Sequence, residues 1–202
     1  TSSHNMSSEK QFRNPTEYGA PKPETATFTA TGGASAVISN KKSNIKIESA
    51  TIGRIVDYNQ KDALNMGAVM ACAAADTLKR HLDDLNRKED YYDLILTGDL
   101  GLYGREILKE FMMKEHKINI SCNYNDCGVM LYDLEEQKEV LAGGSGPVCS
   151  ALVLYGFILN EMKKKNIKKV LLIATGALFS PTMLYQKENI LSIAHAISLE
   201  AI

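Results

Sequence analysis

The sequence predicts an α/β protein, a mixed sheet covered by helices, on three observations. Two short apolar runs, Tyr92 to Thr97 and Val170 to Ala174, each stop at a glycine turn, Thr97-Gly98-Asp99-Leu100-Gly101 and Thr175-Gly176, as buried strands do. The first run is followed by Ile107, Leu108, Phe111 and Met112 at helical spacing, the strand, turn, helix order of α/β folds. Between Met66 and Leu85 the apolar residues Val69, Cys72, Ala75, Leu78, Leu82 and Leu85 recur every three or four positions, predicting a helix with one apolar stripe and a charged opposite face.

The remaining elements follow in order. From Ser7 to Thr27 the chain is polar and carries Pro15, Pro21 and Pro23, which fix φ and remove donors, so an irregular segment is expected. Ala34 to Ser39 reads as a buried strand, and Ile45 to Val56 as a second with Ile45, Ile47, Ser49 and Thr51 on one face. Asn40 to Asn44 would join them as a hairpin turn. A third helix is expected from Pro147 to about Lys165, because Pro suits a first helical turn and Val148, Leu152, Tyr155, Leu159 and Met162 form a stripe. Lys163 to Lys165 suit its C-terminal dipole. Ile193 to Leu199 reads as a closing strand, giving the order β-β-α-β-α-(β)-α-β-β.

Composition narrows the function. The 202 residues are 45% hydrophobic and 23% charged, with a net charge of -1 and a pI near 6.4. That is enough chain to bury a core, and it offers no basic excess for phosphate backbones, so nucleic acid is not an expected partner. No apolar run approaches the roughly 20 residues of a spanning helix, so any membrane association is expected to be peripheral. The start at Thr1-Ser2-Ser3-His4-Asn5, without an initiator Met or signal pattern, reads as a cut through a longer chain. Cys72, Cys122, Cys127 and Cys149 follow neither a zinc pattern nor a disulfide framework and fit a reducing compartment.

Four local features carry candidate chemistry. Leu141 to Pro147, with Gly143, Gly144, Ser145 and Gly146 ahead of a helix, can bring backbone N–H groups to a carboxylate or phosphate, or can simply turn the chain tightly. Cys122 to Gly128 places Asn123, Asn125 and Asp126 in one polar loop, where the amides and carboxylate bind backbone or ligand. Zinc would need further Cys or His ligands that do not lie close. Asp57, Asp99 and Asp126 stand in turns, able either to ligate a hard cation or to stabilise the turns. Of the histidines, His81 and His116 read as solvated residues near helix ends and His195 as a core histidine; His4, in a small polar cluster, is the functional candidate.

Thr1 to Asn5, Gln11-Phe12-Arg13, Pro15 to Gly19, Asp93 to Leu100, Asn125-Asp126-Cys127-Gly128, Ala142 to Gly146 and Ala174 to Leu178 with Ser180-Pro181 together resemble, end to end, the stage V sporulation protein AD family. More distantly the chain is similar to the thiolase and ketoacyl-synthase superfamily. The resemblance implies a thiolase-like fold of two similar halves. Residues 1–43, with the irregular loop 7–27, would end the N-terminal half, and 44–202 would form the C-terminal half. In acyl-transferring members a nucleophilic cysteine lies in the first half, while histidine with asparagine or cysteine from the second polarises the thioester. Here Thr97-Gly98-Asp99 stands where ketosynthase-like relatives place histidine, Gly143 to Gly146 offers neither His nor Asn, and Thr175 stands where thiolases place cysteine. No catalytic residue is therefore expected. The alternative is an acyltransferase or ketoacyl-synthase-like enzyme acting on a coenzyme A thioester, with its cysteine upstream of Thr1.

The resemblance also implies binding of dipicolinic acid, alone or as its calcium chelate, and uptake of it into the developing spore with other SpoVA proteins. The protein would sit peripheral to the inner membrane and form a homodimer in full-length form. The residues expected at the ligand are Gly144, Ser145 and Gly146 at the helix start, His4 and Arg13 as cations, Tyr18 as an aromatic surface, and Asn125 and Thr175 as polar contacts. For the calcium chelate, Asp99 or Asp126 would complete the metal shell. No cofactor is expected beyond calcium brought with the ligand.

Overall fold

The apolar runs lie side by side in one sheet. The computed structural model describes residues 1–4 and 22–202. In chain order the elements begin with strands β1 (Ser2–His4), β2 (Phe28–Thr29), β3 (Gly32–Ala34) and β4 (Ile45–Thr51). Helix α1 (Met66–Asp84), β5 (Leu94–Thr97), α2 (Gly101–His116), β6 (Tyr124–Asp126), α3 (Cys127–Met130) and β7 (Gly144–Ser145) follow. Helix α4 (Cys149–Val153) runs through a π-helical segment (Leu154–Ile158) into α5 (Leu159–Lys163), and β8 (Lys169–Ala177), α6 (Pro181–Tyr185) and β9 (Ser192–Ala201) complete the described chain.

Five strands form a mixed sheet in the order β4-β9-β8-β5-β6. The β8–β5 and β5–β6 pairs are parallel, whereas β9 runs antiparallel to both neighbours. Side chains alternate across this sheet. Ile95, Leu171, Ile173, Ala194 and Ala196 bury against α1 and α2, and Leu96, Val170, Leu172 and Leu199 against the α4–α5 helix. The result is the α/β class the sequence predicts, a mixed sheet covered by helices. Two small pairs, β1 with β3 and β2 with β7, lie beside it.

Helix α1 differs from the expected amphipathic form. Its residues Val69 to Ala75, with Gly67, Thr77 and Leu78, are buried, because it packs on β8 and β9 and also against α2. Small side chains make this possible. A Cβ at Gly67 would lie 2.3 Å from the Leu100 carbonyl oxygen, and one at Gly104 would lie 2.7 Å from the Gly67 Cα. The charged face survives only in the last turns.

Other expectations are corrected. Ala34 to Ser39 is not a strand beyond Ala34, and Asn40 to Asn44 is not a hairpin, since β4 pairs with β9 instead. Val37 and Ile38, with no sheet neighbour among the described residues, are 93% and 81% exposed. β4 stops at Thr51, and a register shift between Ile47 and Ser49 breaks its alternation and turns Ile47 outward. The third helix begins at Cys149, and the extra residue per turn of its π segment rotates the buried stripe to Val153, Leu154, Ile158 and Met162. His195 is exposed on β9, its Nδ1 accepting from the Gly53 N–H at 3.1 Å.

His81 is fully buried rather than solvated. Its Nδ1 lies 2.7 Å from the Thr51 hydroxyl and its Nε2 2.5 Å from the Tyr92 hydroxyl. Arg87 donates to Tyr92 at 2.9 Å and, through both terminal nitrogens, to the Glu48 carboxylate at 3.0 and 2.8 Å. Tyr91 and Ser198 also donate to Glu48, at 2.7 and 2.8 Å. Burial opposes ionisation of Glu48, but these three donors outweigh it and hold its pKa at about 2. Burial first, then the Arg87 charge, lowers His81 to about 4. Between pH 4 and the ordinary value of 6.5, the unfolded chain carries the His81 proton and the folded chain does not. Stability from His81 is thus complete above pH 6.5 and is lost as pH falls toward 4, by about 3 kcal/mol. Urea unfolding across that window should show a steeper acid loss for the natural chain than for His81→Gln; parallel curves would remove His81 from this role.

Candidate functional site

Because β5 and β8 are parallel, their carboxyl ends open on one edge of the sheet, and the turns leaving them meet there. Asp126, the last residue of β6, stands opposite Thr97 in the neighbouring strand. Its Oδ2 accepts from the Thr97 hydroxyl at 2.6 Å and the Leu100 N–H at 2.8 Å, and its Oδ1 from the Gly101 and Gly128 N–H groups at 3.0 and 2.9 Å. The carboxylate thus closes the turn after β5 and caps α3. It is wholly buried. Burial pushes its pKa up to about 6 against the hydrogen bonds from Thr97, Leu100 and Gly101, and the nearby Asp99 charge adds to the rise.

The turn that Asp126 closes carries Asp99. Asp99 Oδ2 accepts from the Gly146 N–H at 2.9 Å, and Oδ1 from the Thr175 hydroxyl at 3.2 Å. Gly146 has φ of +96°, a region that favours glycine. One carboxylate therefore joins the β5 turn, the glycine turn before α4, and β8. Around it lies a cleft of about 370 Å³ lined by Met66 and Met70 of α1, Gly98, Asp99, Gly146, Pro147, Ser150 and the β8 residues Ala174 to Ala177. A hydrogen bond from the Ser2 hydroxyl to the Pro147 carbonyl ties β1 to the rim.

Of the residues expected at the ligand, Asp99, Gly146 and Thr175 come together on this cleft. Gly144 and Ser145 are buried in β7, paired with Phe28 and Thr29. Asn125 is half-buried and accepts from Arg105 at 3.1 Å. Asp126 faces protein donors and is not in the lining, so of the two aspartates only Asp99 borders the cleft. His4 is buried in β1 opposite Gly32 and is not among the lining residues. Arg13 and Tyr18 lie outside the described residues, as does most of the irregular segment 7–27. The expected free N–H of Gly146 is occupied by Asp99. Sequence reasoning missed Ser150, Met66 and Met70. Ser150 falls in the first turn of the helix expected after Pro147, and the two methionines stand one turn apart at the start of α1.

The lining includes no His, Cys, Lys or Arg among the described residues. Cys127 and Cys149 are buried, and their thiols are pushed far up, first by burial and then by the charges of Asp126 and Asp99 among others. Among the described residues no group of three or more His, Cys, Asp and Glu side chains could hold a metal ion, and no helix is long and apolar enough to cross a membrane.

Fold and cleft define an α/β protein whose candidate site lies at the carboxyl ends of adjacent parallel strands, where open α/β sheets hold ligands. Residues 1–200 match the family described as Stage V sporulation protein AD (SpoVAD), and the chain belongs to that family. It is 49% identical over 200 residues to the stage V sporulation protein AD of Bacillus subtilis (strain 168), covering 99% of this chain and 58% of that protein's length. Among solved structures it is similar to the Bacillus anthracis acetyl-CoA acetyltransferase, with 10% identity, a TM-score of 0.42, and coverage of 80% of this chain and 31% of that one. It is also similar to a variant of Xanthomonas campestris OleA, with 9% identity, a TM-score of 0.42, and coverage of 79% of this chain and 58% of that one.

Substituting Asp126→Asn keeps the shape but points an amide NH₂ at two of the four donors, leaving buried groups unsatisfied. The expected cost is about 3 kcal/mol, a fall of about 10 °C in thermal midpoint, whereas Asn125→Ala at the adjacent half-buried position should cost far less. Equal melting of the two variants would deny Asp126 its part in holding the site.

Proposed function

We propose that this sporulation-family chain forms part of a protein that binds dipicolinic acid as its calcium chelate in the Asp99 cleft. It would assist uptake of the acid into the developing spore, without acyl transfer. The observation that carries this reading is the pairing of Asp99 with the Gly146 N–H and the Thr175 hydroxyl in a cleft whose described lining has no basic side chain. A bare dicarboxylate would meet a like charge there. A chelate presents its calcium to Asp99, a hard oxygen ligand for a hard cation, and needs no preformed metal cage. The pyridine ring suits the apolar flank of Met66 and Met70, while the Ser150 hydroxyl can donate to a carboxylate oxygen. The volume is in the range of small-molecule sites.

Acyl transfer requires an activated nucleophile and a base in reach of it. The protonated, buried thiols of Cys127 and Cys149 and the absence of a histidine from the described lining support a binding role. Action beside other SpoVA proteins at the spore inner membrane belongs to the same proposal and comes from the family.

Calorimetric titration of the full-length protein with dipicolinate, with and without calcium, tests it. Saturable heat is expected with calcium, weakened about tenfold or more, roughly 1.4 kcal/mol, by Asp99→Asn and by Ser150→Ala in proteins that melt normally. Absence of heat in both conditions would end the reading, and turnover of an acyl-coenzyme A substrate would replace it with the enzymatic one.

A further inference from the structure

We infer that His195 is a further ligand-binding residue, donating from Nε2 to a carboxylate oxygen of the molecule held in the Asp99 cleft; this rests on the binding reading given above. The register of the sheet places it there. β8 and β9 pair without a shift, with Val170 opposite Leu199, Leu172 opposite Ile197, Ala174 opposite His195 and Gly176 opposite Ile193. Directly opposed residues of an antiparallel pair share a face, with Cβ atoms roughly 5 Å apart. The first two pairs of this row pack under the α4–α5 helix. Ala174 is exposed and lines the cleft, and His195, beside it on the same face, is exposed as well. The imidazole therefore stands one strand beyond the lining, next to it.

The ring is held from its other side. Past the end of β4 the chain continues along the edge of β9 that faces away from β8. Val56 and Ser192 exchange N–H···O bonds there at 2.8 and 3.1 Å, and Arg54 forks onto Asp76 of α1, its Nη2 2.7 Å and its Nε 3.2 Å from Oδ1. Beside these anchors the Gly53 N–H donates to His195 Nδ1 at 3.1 Å. No side chain fits at that position, since a Cβ on Gly53 would lie 1.5 Å from the Ala194 carbonyl oxygen, which also accepts the Thr77 hydroxyl at 2.8 Å. A nitrogen that accepts carries no hydrogen, so the hydrogen of the neutral ring is on Nε2. Nε2 lies on the opposite edge of the imidazole, so its N–H is directed away from Gly53 and toward the β8 side. It has no acceptor among the described residues.

This arrangement suits recognition rather than acid–base chemistry. With its lone pair engaged by Gly53, the ring donates and does not accept, so it is no base for a nucleophile. Its N–H complements what the cleft already offers. Asp99 would meet the calcium of the chelate, Ser150 would donate to a carboxylate oxygen from the α4 side, and His195 supplies a donor from the β9 side. A planar ring with a carboxylate on each flank is fixed in orientation by donors on two sides of a cleft, where one donor leaves it free to turn. Hydrogen bonds to a charged acceptor are also the stronger kind.

Calorimetric titration of the full-length protein with dipicolinate in the presence of calcium tests the assignment. His195→Ala and His195→Phe should each weaken binding about tenfold, in proteins that melt as the natural one does. His195→Gln, which returns an N–H donor near the position of Nε2, should bind within about threefold of the natural protein. In the natural protein carrying isotopically labelled histidine, saturating ligand should move the Nε2 signal that His195→Gln removes and leave its Nδ1 partner in place. If Asp99→Asn weakens binding and His195→Ala does not, or if that Nε2 signal stays put at saturation, the inference falls and the cleft reading stands. Binding by the Gln variant as weak as by the Ala variant would likewise remove the donor role. Absence of heat in the natural protein would end both.

Discussion

The site depends on one buried carboxylate. Asp126 gathers the Thr97 hydroxyl and the backbone N–H groups of Leu100, Gly101 and Gly128, and so binds the end of β5, the start of α2 and the start of α3 to one point. Without it the three buried backbone N–H groups would lose their acceptor, and the Thr97 hydroxyl would keep only Tyr124 as a partner. The hydrogen bonds favour the charged form and burial opposes it; burial prevails, which is why the pKa rises to about 6. A group held against its solvation in this way is kept because it fixes a turn, and that turn holds Asp99 against Gly146 and Thr175.

A division of labour between the two aspartates follows. Asp126 uses its hydrogen-bonding capacity inside the protein, whereas Asp99 joins three segments and still lines an open cleft. The polarity of the parallel strands places this cleft at one end of the sheet.

Much of the fold was legible because it depends on local pattern. The runs at Leu94 and Val170, the periodic stretch from Met66 and the expected helix after Pro147 all lie close to where periodicity put them. Failures arose where a distant partner overruled that pattern. Val37 and Ile38 look like a strand but find no partner among the described residues. Ile47 was turned outward by a bulge, and the stripe after Val148 was rotated by a π segment that no spacing announces. His81 reads as a solvated residue near a helix end, yet Thr51, Tyr92 and Arg87 enclose it, two of them from segments remote from α1.

The sequence by itself determined the α/β class, the strand and helix order, the glycine turns and the residue types available to a site, because these follow from short-range periodicity and backbone preference. It also named Asp99, Gly146 and Thr175. Tertiary structure alone decided that these three meet while Asn125, Asp126 and Ser145 turn elsewhere, and that Ser150 and two methionines complete the lining. The physical reason is that a side chain's direction at a strand end is set by register with the neighbouring strand, here Thr97 beside Asp126 and Ile173, and register is a property of the pair rather than of either run.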